Sequence, residues 1–317
     1  MKDRYEKIGT LLVLLVPLLF ALTGGYLQWV VGYLYLFLLQ GYVAWFLFFK
    51  SGQPFFGYSV TMALGAYGTI ILTEMFHWSL LASMSVSAIM SALVGVIVFL
   101  FTSRAKGFYV SMASFLLAIL FPKLIEALQP ITGGRSGLYF DGIKAVISGN
   151  LFYAIIILST VIVIALIFWL MGTKVGKILT LVSENDTLTQ AVGINTFKYK
   201  ILAYAVAGLL SGFGGALYVN YSGFISSIDI EVFTSLYIVF IPLIGGSRIT
   251  YGPILGALFV ILVPELLVSV ERYLRIFFGV LFILVMILLP DGITPNIIKL
   301  VRGAVSLLKP SRKEKAA

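Results

Sequence analysis

The chain has no cysteine, a single histidine (His77) and few charges. Charged residues occupy 11% of its 317 positions, where a soluble domain carries about 25%. Without cysteine there can be no disulfide, thiolate metal site or thiol nucleophile. One histidine excludes a multi-histidine metal centre or proton relay. No paired carboxylates, nucleophile elbow or metal-ligand spacing occurs, so no catalytic constellation is in sight. The stretch Gly172-Thr173-Lys174-Val175-Gly176-Lys177-Ile178 is not a Walker A loop, because its spacing is wrong and no Ser or Thr follows the lysine. The sequence is therefore read as non-enzymatic, with no metal and no cofactor held by this chain.

What it has in excess is apolar surface, at 60% of residues. That composition belongs to an all-α integral membrane protein. A bilayer core about 30 Å thick needs about 20 apolar residues as helix. No charge falls between Lys7 and Lys50, which leaves room for two spans. The first of these is read as an uncleaved span and not a signal peptide, since another long apolar run follows at once. Further uncharged runs are 51–73, 75–103, 107–122, 145–173, 201–228, 232–247, 249–264 and 276–290. The expectation is a polytopic bundle of about ten helices, one permease-like domain over 1–317.

Ten spans put both termini on one side. Of 22 Lys and Arg residues, five (Lys123, Arg135, Lys144, Arg272 and Arg275) then fall on the opposite side. The other 17 share the side of the termini, which the positive-inside rule makes cytoplasmic. The net charge of +9 is thereby a membrane-surface feature, concentrated in part in the tail 303–317, and not a nucleic-acid site.

One polar segment interrupts the apolar pattern: LVSENDTLTQAVGINTFKYKI, residues 181–201. It reads either as an ordinary cytoplasmic loop or as a short surface helix. For the helix, Ser183 would cap a first turn carrying Glu184 and Asp186, on the favoured side of the dipole. Leu188, Ala191 and Val192 would form its apolar face, and Gly193 would end it. Such a helix is a knob suited to docking a partner.

From this segment onward the chain resembles the permease subunit of bacterial branched-chain amino-acid ABC importers. The resemblance rests on an ordered set of patterns. Ala191-Val192-Gly193-Ile194-Asn195 with Tyr199-Lys200 is followed by the small-residue helix Gly208–Tyr218 and by Gly223-Phe224-Ile225-Ser226. Then come Gly245-Gly246, five residues, Gly252-Pro253 and Gly256-Ala257, and Pro264-Glu265-Leu266-Leu267. Upstream lie Ser51-Gly52-Gln53, Gly65-Ala66-Tyr67 and Thr132-Gly133-Gly134 with Gly137-Leu138; Pro290-Asp291-Gly292 closes the set. Tyr58 stands where the family usually has histidine, Leu289 where arginine is common, and Ser247-Arg248 is unusually polar.

The resemblance implies a permease that moves a branched-chain amino acid, or alternatively urea, a short amide or another amino acid. It implies two ATPase subunits that hydrolyse ATP, a second homologous permease and an extracytoplasmic binding protein, in a bacterial or archaeal cytoplasmic membrane. It makes 174–200 the coupling-helix loop, with Glu184, Asn185, Ala191, Gly193 and Ile194 at the ATPase contact. Gln53, Tyr58, Gly245, Gly246 and Glu265 are candidate pathway residues. Lys50–Pro54 and Gly245–Arg248 read either as cytoplasmic turns or as broken helices beside a water-filled path. Glu265 either reaches the interface, where Arg272 can pair with it, or acts as a gate or substrate-amine contact; a carboxylate at the bilayer centre costs about 2.5–3.5 kcal/mol or more. Glu74, Glu126, Asp141, Asp229, Glu231 and Glu271 are expected on the outer side, either solvated or facing a binding protein. Ser211, Gly214, Gly208 and Gly212 read as helix-packing positions. The rival functions are a gradient-driven transporter using Glu265 and a structural membrane subunit.

Overall fold

In a bilayer an apolar segment finds no water for its amides, so it satisfies them internally as helix whatever its local propensity. The run Ile155–Ile167 shows this: rich in Ile and Val, which favour strands in water, it is helix throughout. The computed structural model describes residues 25–103, 108–142, 150–246 and 249–266, with isolated positions 10, 14, 279, 280, 283, 284, 287, 288 and 292–294. Helix α1 is Tyr26–Ala44, prolonged by a π-helical turn, Trp45–Lys50. There follow α2 (Tyr58–Glu74), α3 (Leu80–Thr102), α4 (Phe108–Ala127) and α5 (Asn150–Gly172). Two short helices, α6 (Lys174–Glu184) and α7 (Asp186–Ala191), lead into α8 (Thr196–Ser222). The described chain closes with α9 (Val232–Gly245) and α10 (Gly252–Leu266).

Among the described residues, five helices are long and apolar enough to cross a membrane: Tyr26–Lys50, Leu80–Thr102, Tyr109–Ala127, Leu151–Gly172 and Thr196–Ser222. The protein is an all-α, multi-pass membrane protein. Helices α2, α9 and α10, at 17, 14 and 15 residues, are shorter. The first expected span apart from Thr10 and Leu14, the tail 303–317, Ser247-Arg248, Arg272 and Leu289 lie outside the described residues, as do Lys144, Glu271 and Arg275.

The chain divides into two compact units, Met1–Val239 and Phe240–Ala317. In the first, α8 is the axis, packed chiefly against α3 and α2, while α1 packs on α5 and α8. The α2–α8 crossing is backbone on backbone. A Cβ added at Gly65 would overlap the carbonyl of Gly212, and one at Gly215 would overlap that of Met62. This close approach admits a buried polar string across four helices. Gln40 Nε2 donates to Ser211 O at 2.9 Å, and Ser211 Oγ donates to Gln40 Oε1 at 2.9 Å. Ser211 and Thr61 hydroxyls share a bond of 2.8 Å, and Ser91 Oγ donates to Thr61 O at 3.0 Å. Hydrogen bonds between membrane helices average about 0.6 kcal/mol each, so the string aligns the helices as well as stabilising them. The outward faces of α3 and α4 carry exposed Leu81, Leu93, Leu116 and Leu120, the surface expected against lipid tails.

At the end of the unit away from α6 and α7, two of the resemblance motifs meet. Strand β1 (Leu138–Tyr139) pairs antiparallel with β2 (Phe224–Ile225), placing Leu138 opposite Ile225. An apolar cluster of Ala66, Ile70, Ile125, Phe140, Val219 and Ile225 lies beneath.

The second unit is held by glycine contacts of its own. A Cβ at Gly245 would overlap Gly252 O, and one at Gly256 would overlap Ile241 O. Thr294 Oγ1 donates to Gly245 O. The spacing of Gly245-Gly246, Gly252 and Gly256 thus lets the ends of α9 and α10 touch through backbone.

Candidate functional site

Helix α6 follows from a three-residue apolar rhythm. Gly176, Leu179 and Val182 are buried, while Lys174, Lys177, Leu181 and Glu184 are exposed. Thr173 caps its start, its Oγ1 accepting from Gly176 N. The helix runs on to Glu184, which corrects the expected cap: Ser183 lies inside α6 and donates to Thr180 O at 2.7 Å. Burial of Leu179 and Val182 carries the helix past Ser183. The chain then breaks at extended Asn185 (φ −157°, ψ 99°), whose Oδ1 accepts from Leu188 N at 2.9 Å and caps α7. Asparagine caps as well as serine does. Helix α7 ends as expected at Gly193, whose φ of +84° lies in the left-handed region that glycine takes freely.

The apolar residues of α7 point outward. Leu188 is 63% and Val192 68% exposed, Ala191 is exposed, and Thr189 alone of the helix is buried. Open depressions flank the ridge. One of about 250 Å³ is lined by Leu181, Glu184, Asn185, Leu188, Thr189 and Val192. The other, of about 510 Å³, is lined by Gly193, Ile194, Asn195, Lys198, Tyr199 and Leu202. Of the five expected coupling residues, Glu184 and Asn185 line the first depression and Gly193 and Ile194 the second, while Ala191 is exposed but lines neither.

The segment is fastened to the bundle. Lys200 Nζ lies 2.6 Å from Asp186 Oδ2, and Gln190 Nε2 donates to Thr196 Oγ1 at 3.0 Å. Partial burial by itself raises the Asp186 pKa, but the hydrogen bonds of Lys200 and Thr196 and the Lys200 charge outweigh it, and the carboxyl titrates below its ordinary value. The Asp186 side chain is 39% exposed, so after allowance for solvent screening the pair contributes about 0.5–1 kcal/mol.

Gln53 and Tyr58 lie in or next to a break between α1 and α2. The π turn is followed by irregular backbone over 51–57, most of it buried. Ser51 N donates to Phe46 O at 2.9 Å and Gln53 N to Leu47 O at 3.0 Å, while Phe56 N donates across to Ser114 Oγ of α4 at 3.0 Å. Gln53 Nε2 donates to Ser51 O at 3.1 Å. The stretch interrupts the helical backbone between the π turn and α2. Gly52, at φ +65°, presses on α6: a Cβ there would stand 2.6 Å from Ser183 Cα and 2.8 Å from Ser183 Cβ. Tyr58 opens α2 fully buried, and its hydroxyl has no hydrogen-bond partner. Phe55 sets its ring edge-on to both Tyr58 (5.0 Å between centroids) and Tyr204 (5.6 Å).

Tyr204 escaped the sequence analysis. It too is buried with an unpartnered hydroxyl, and its ring lies 5.0 Å from Phe99. The available signal was a phenol set among the small apolar residues of α8. Gly245 and Gly246 belong to the α9–α10 backbone contact in the second unit. Glu265 lies in the last turn of α10, and its side chain is outside the described residues. Of the carboxylates expected outside, Glu126 is engaged by Arg135 (3.2 Å), Lys123 (3.0 Å) and Ser227 Oγ (3.2 Å). Asp229 Oδ2 accepts from Ser226 N and Oγ, both at 2.8 Å, while Glu74 and Asp141 are exposed. Among the described residues, no group of three or more His, Cys, Asp or Glu is placed to hold a metal ion.

Comparison with known proteins finds a match over residues 30–286 to the family described as branched-chain amino acid transport system / permease component. The chain is 22% identical over 273 residues to the high-affinity branched-chain amino acid transport system permease protein LivM of Escherichia coli (strain K12), covering 77% of this chain and 64% of that one. It is 27% identical over 241 residues to the probable branched-chain amino acid transport permease protein LivM of Methanocaldococcus jannaschii, covering 68% of each chain. Against the probable LivH of the same organism it is 25% identical over 250 residues, covering 74% and 77%. No solved structure matches.

Proposed function

The chain belongs to the branched-chain amino acid transport permease family, and on that premise we propose that it is the membrane-spanning permease subunit of an ATP-driven importer. Its cargo is a branched-chain amino acid or a closely related small polar solute, delivered by an extracytoplasmic binding protein. Two ATPase subunits hydrolyse the ATP, and a second, similar permease completes the passage. The membrane is the cytoplasmic membrane of a bacterium or archaeon, crossed ten times with both termini inside.

The α7 ridge carries this reading. An apolar pair as exposed as Leu188 and Val192, rimmed by Glu184, Asn185 and Gln190 and flanked by two depressions, has the make-up of a protein contact. The Asp186–Lys200 and Gln190–Thr196 ties allow a force applied there to move α8 instead of merely refolding the segment. Gln53, Tyr58, Gly245, Gly246 and Glu265 are assigned to the passage, with Tyr58 best supported through its buried, unpartnered hydroxyl. A urea, short-amide or other amino-acid cargo is the second reading, favoured by Tyr58 at a position where histidine is expected.

The test is uptake into liposomes holding the assembled permeases and ATPases. Glu184→Lys and Gly193→Trp are each expected to lower ATP-driven uptake about tenfold or more, a loss of about 1.4 kcal/mol of coupling. Unchanged uptake in both variants refutes the coupling assignment, and uptake driven by an ion gradient without ATP refutes the importer.

A further inference from the structure

We propose that the backbone contact between Gly52 and Ser183 passes motion of the α6–α7 segment to the broken stretch 51–57, and through it to Tyr58. The inference rests on α7 being the ATPase contact and names where its movement enters the pathway. Three observations converge on it.

The first is the contact itself. A Cβ at Gly52 would stand 2.6 Å from Ser183 Cα and 2.8 Å from Ser183 Cβ, so the glycine bears on two atoms that no rotamer change can move aside. Side chains yield by changing rotamer, whereas backbone against backbone transmits displacement. The position also demands glycine, since its φ of +65° is left-handed.

The second is location. Ser183 immediately precedes Glu184 and stands two residues before Asn185, the cap of α7. A push on the ridge reaches Ser183 through a short length of main chain. Helix α6 also packs against the π turn, so it meets this break at both its turn and its irregular part.

The third is the aromatic group on the far side of the break. The break starts from a π turn, a rare form that is frequent at functional sites in helices. Reverting that turn to α geometry shifts residues 51–57 by about one residue's rise, ~1.5 Å. The stretch that would shift carries Phe55, wedged edge-on between Tyr58 and Tyr204, the two buried phenols whose hydroxyls lack partners. Two buried hydroxyls beside one ring call for an explanation, and opening of this plug would bring both within reach of partners. The contact thus joins an exposed ridge to a closed aromatic plug through main chain.

The absence of cysteine makes the test clean. Ser183→Cys gives this chain its only thiol and leaves Gly52 native. In the assembled transporter in liposomes, its maleimide labelling rate is expected to change at least fivefold when the ATPases are trapped with ATP and vanadate. Gly52→Ala, which forces the two segments apart, is expected to lower ATP-driven uptake at least fivefold while the ATPases still bind. A labelling rate independent of nucleotide, or normal uptake in Gly52→Ala, overturns the proposal. The underlying reading fails separately: it falls if Glu184→Lys and Gly193→Trp keep full ATP-driven uptake, whereas an immobile 52–183 contact beside uncoupled ridge variants removes only this inference.

Discussion

Gly65→Ala is the smallest change that attacks the centre of the bundle, and its cost can be worked from the structure. The new methyl would overlap Gly212 O, so α2 and α8 must separate by more than 1 Å or so to reach ordinary carbon–oxygen contact. Of the string Gln40–Ser211–Thr61–Ser91, the Thr61–Ser211 bond of 2.8 Å spans the same crossing. Such a bond does not survive a separation of that size. Losing it removes about 0.6 kcal/mol. Overpacking adds about 1–3 kcal/mol. The expected loss is therefore about 1.5–3.5 kcal/mol, to be read as a fall in the midpoint of thermal unfolding in mild detergent. Gly172→Ala is the control, because nothing lies within 4 Å of a Cβ there; it should be neutral or gain up to about 1 kcal/mol. Equal midpoints for Gly65→Ala and Gly172→Ala refute the close-packed crossing.

Three further outcomes are expected. Ser211→Ala removes the hydroxyl that donates to Gln40 Oε1 and pairs with Thr61 Oγ1, leaving Gln40 its bond to Ser211 O, and should cost about 1–3 kcal/mol in the same unfolding assay, whereas Ser85→Ala, whose hydroxyl bonds only within exposed α3, should cost less than about 0.5 kcal/mol. Tyr204→Phe removes a buried hydroxyl that has no partner, so the midpoint should hold or rise; reduced uptake at unchanged stability would place the phenol in the transport cycle, and a drop of about 1 kcal/mol or more would mean that it has a partner after all. The Asp186 carboxyl titrates below its ordinary value, so the stabilisation from its pairing with Lys200 is complete above the unfolded pKa of about 3.9 and is lost as pH falls through the lower folded value. Amide protection of α7, corrected for intrinsic exchange, should accordingly stay flat from pH 8 to 5 and fall only below about pH 4; Asp186→Asn should lower it across the whole range.

The sequence made the helices legible because a bilayer leaves apolar runs a single solution. The runs 75–103 and 145–173 end within a residue of the ends of α3 and α5, and each begins about five residues before its helix. The short surface helix ending at Gly193 was legible through that glycine and the polar residues around it. Its cap was misplaced because Ser183 and Asn185 are equally good caps by type. The choice between them belongs to Leu179 and Val182, whose burial extends α6. The run 51–73 looked continuous, yet its first seven residues are irregular, since nothing in composition reveals that Gly52 must meet Ser183. Contacts such as Gln40–Ser211, 171 residues apart, are fixed by how helices cross. The same holds for the pairing of Leu138 with Ile225. Periodicity along the chain carries no information about either.

The central claim is that the Glu184–Ile194 strip receives an ATPase. The most direct measurement is an affinity pull-down of the intact chain from its native membrane in mild detergent, with bound proteins identified and ATP hydrolysis assayed. The account predicts that an ATPase accompanies the wild-type chain and is lost with Glu184→Lys or Gly193→Trp, each of which is recovered in normal amount. A chain that comes down alone and without ATP hydrolysis, or an ATPase that stays bound to both variants, contradicts it.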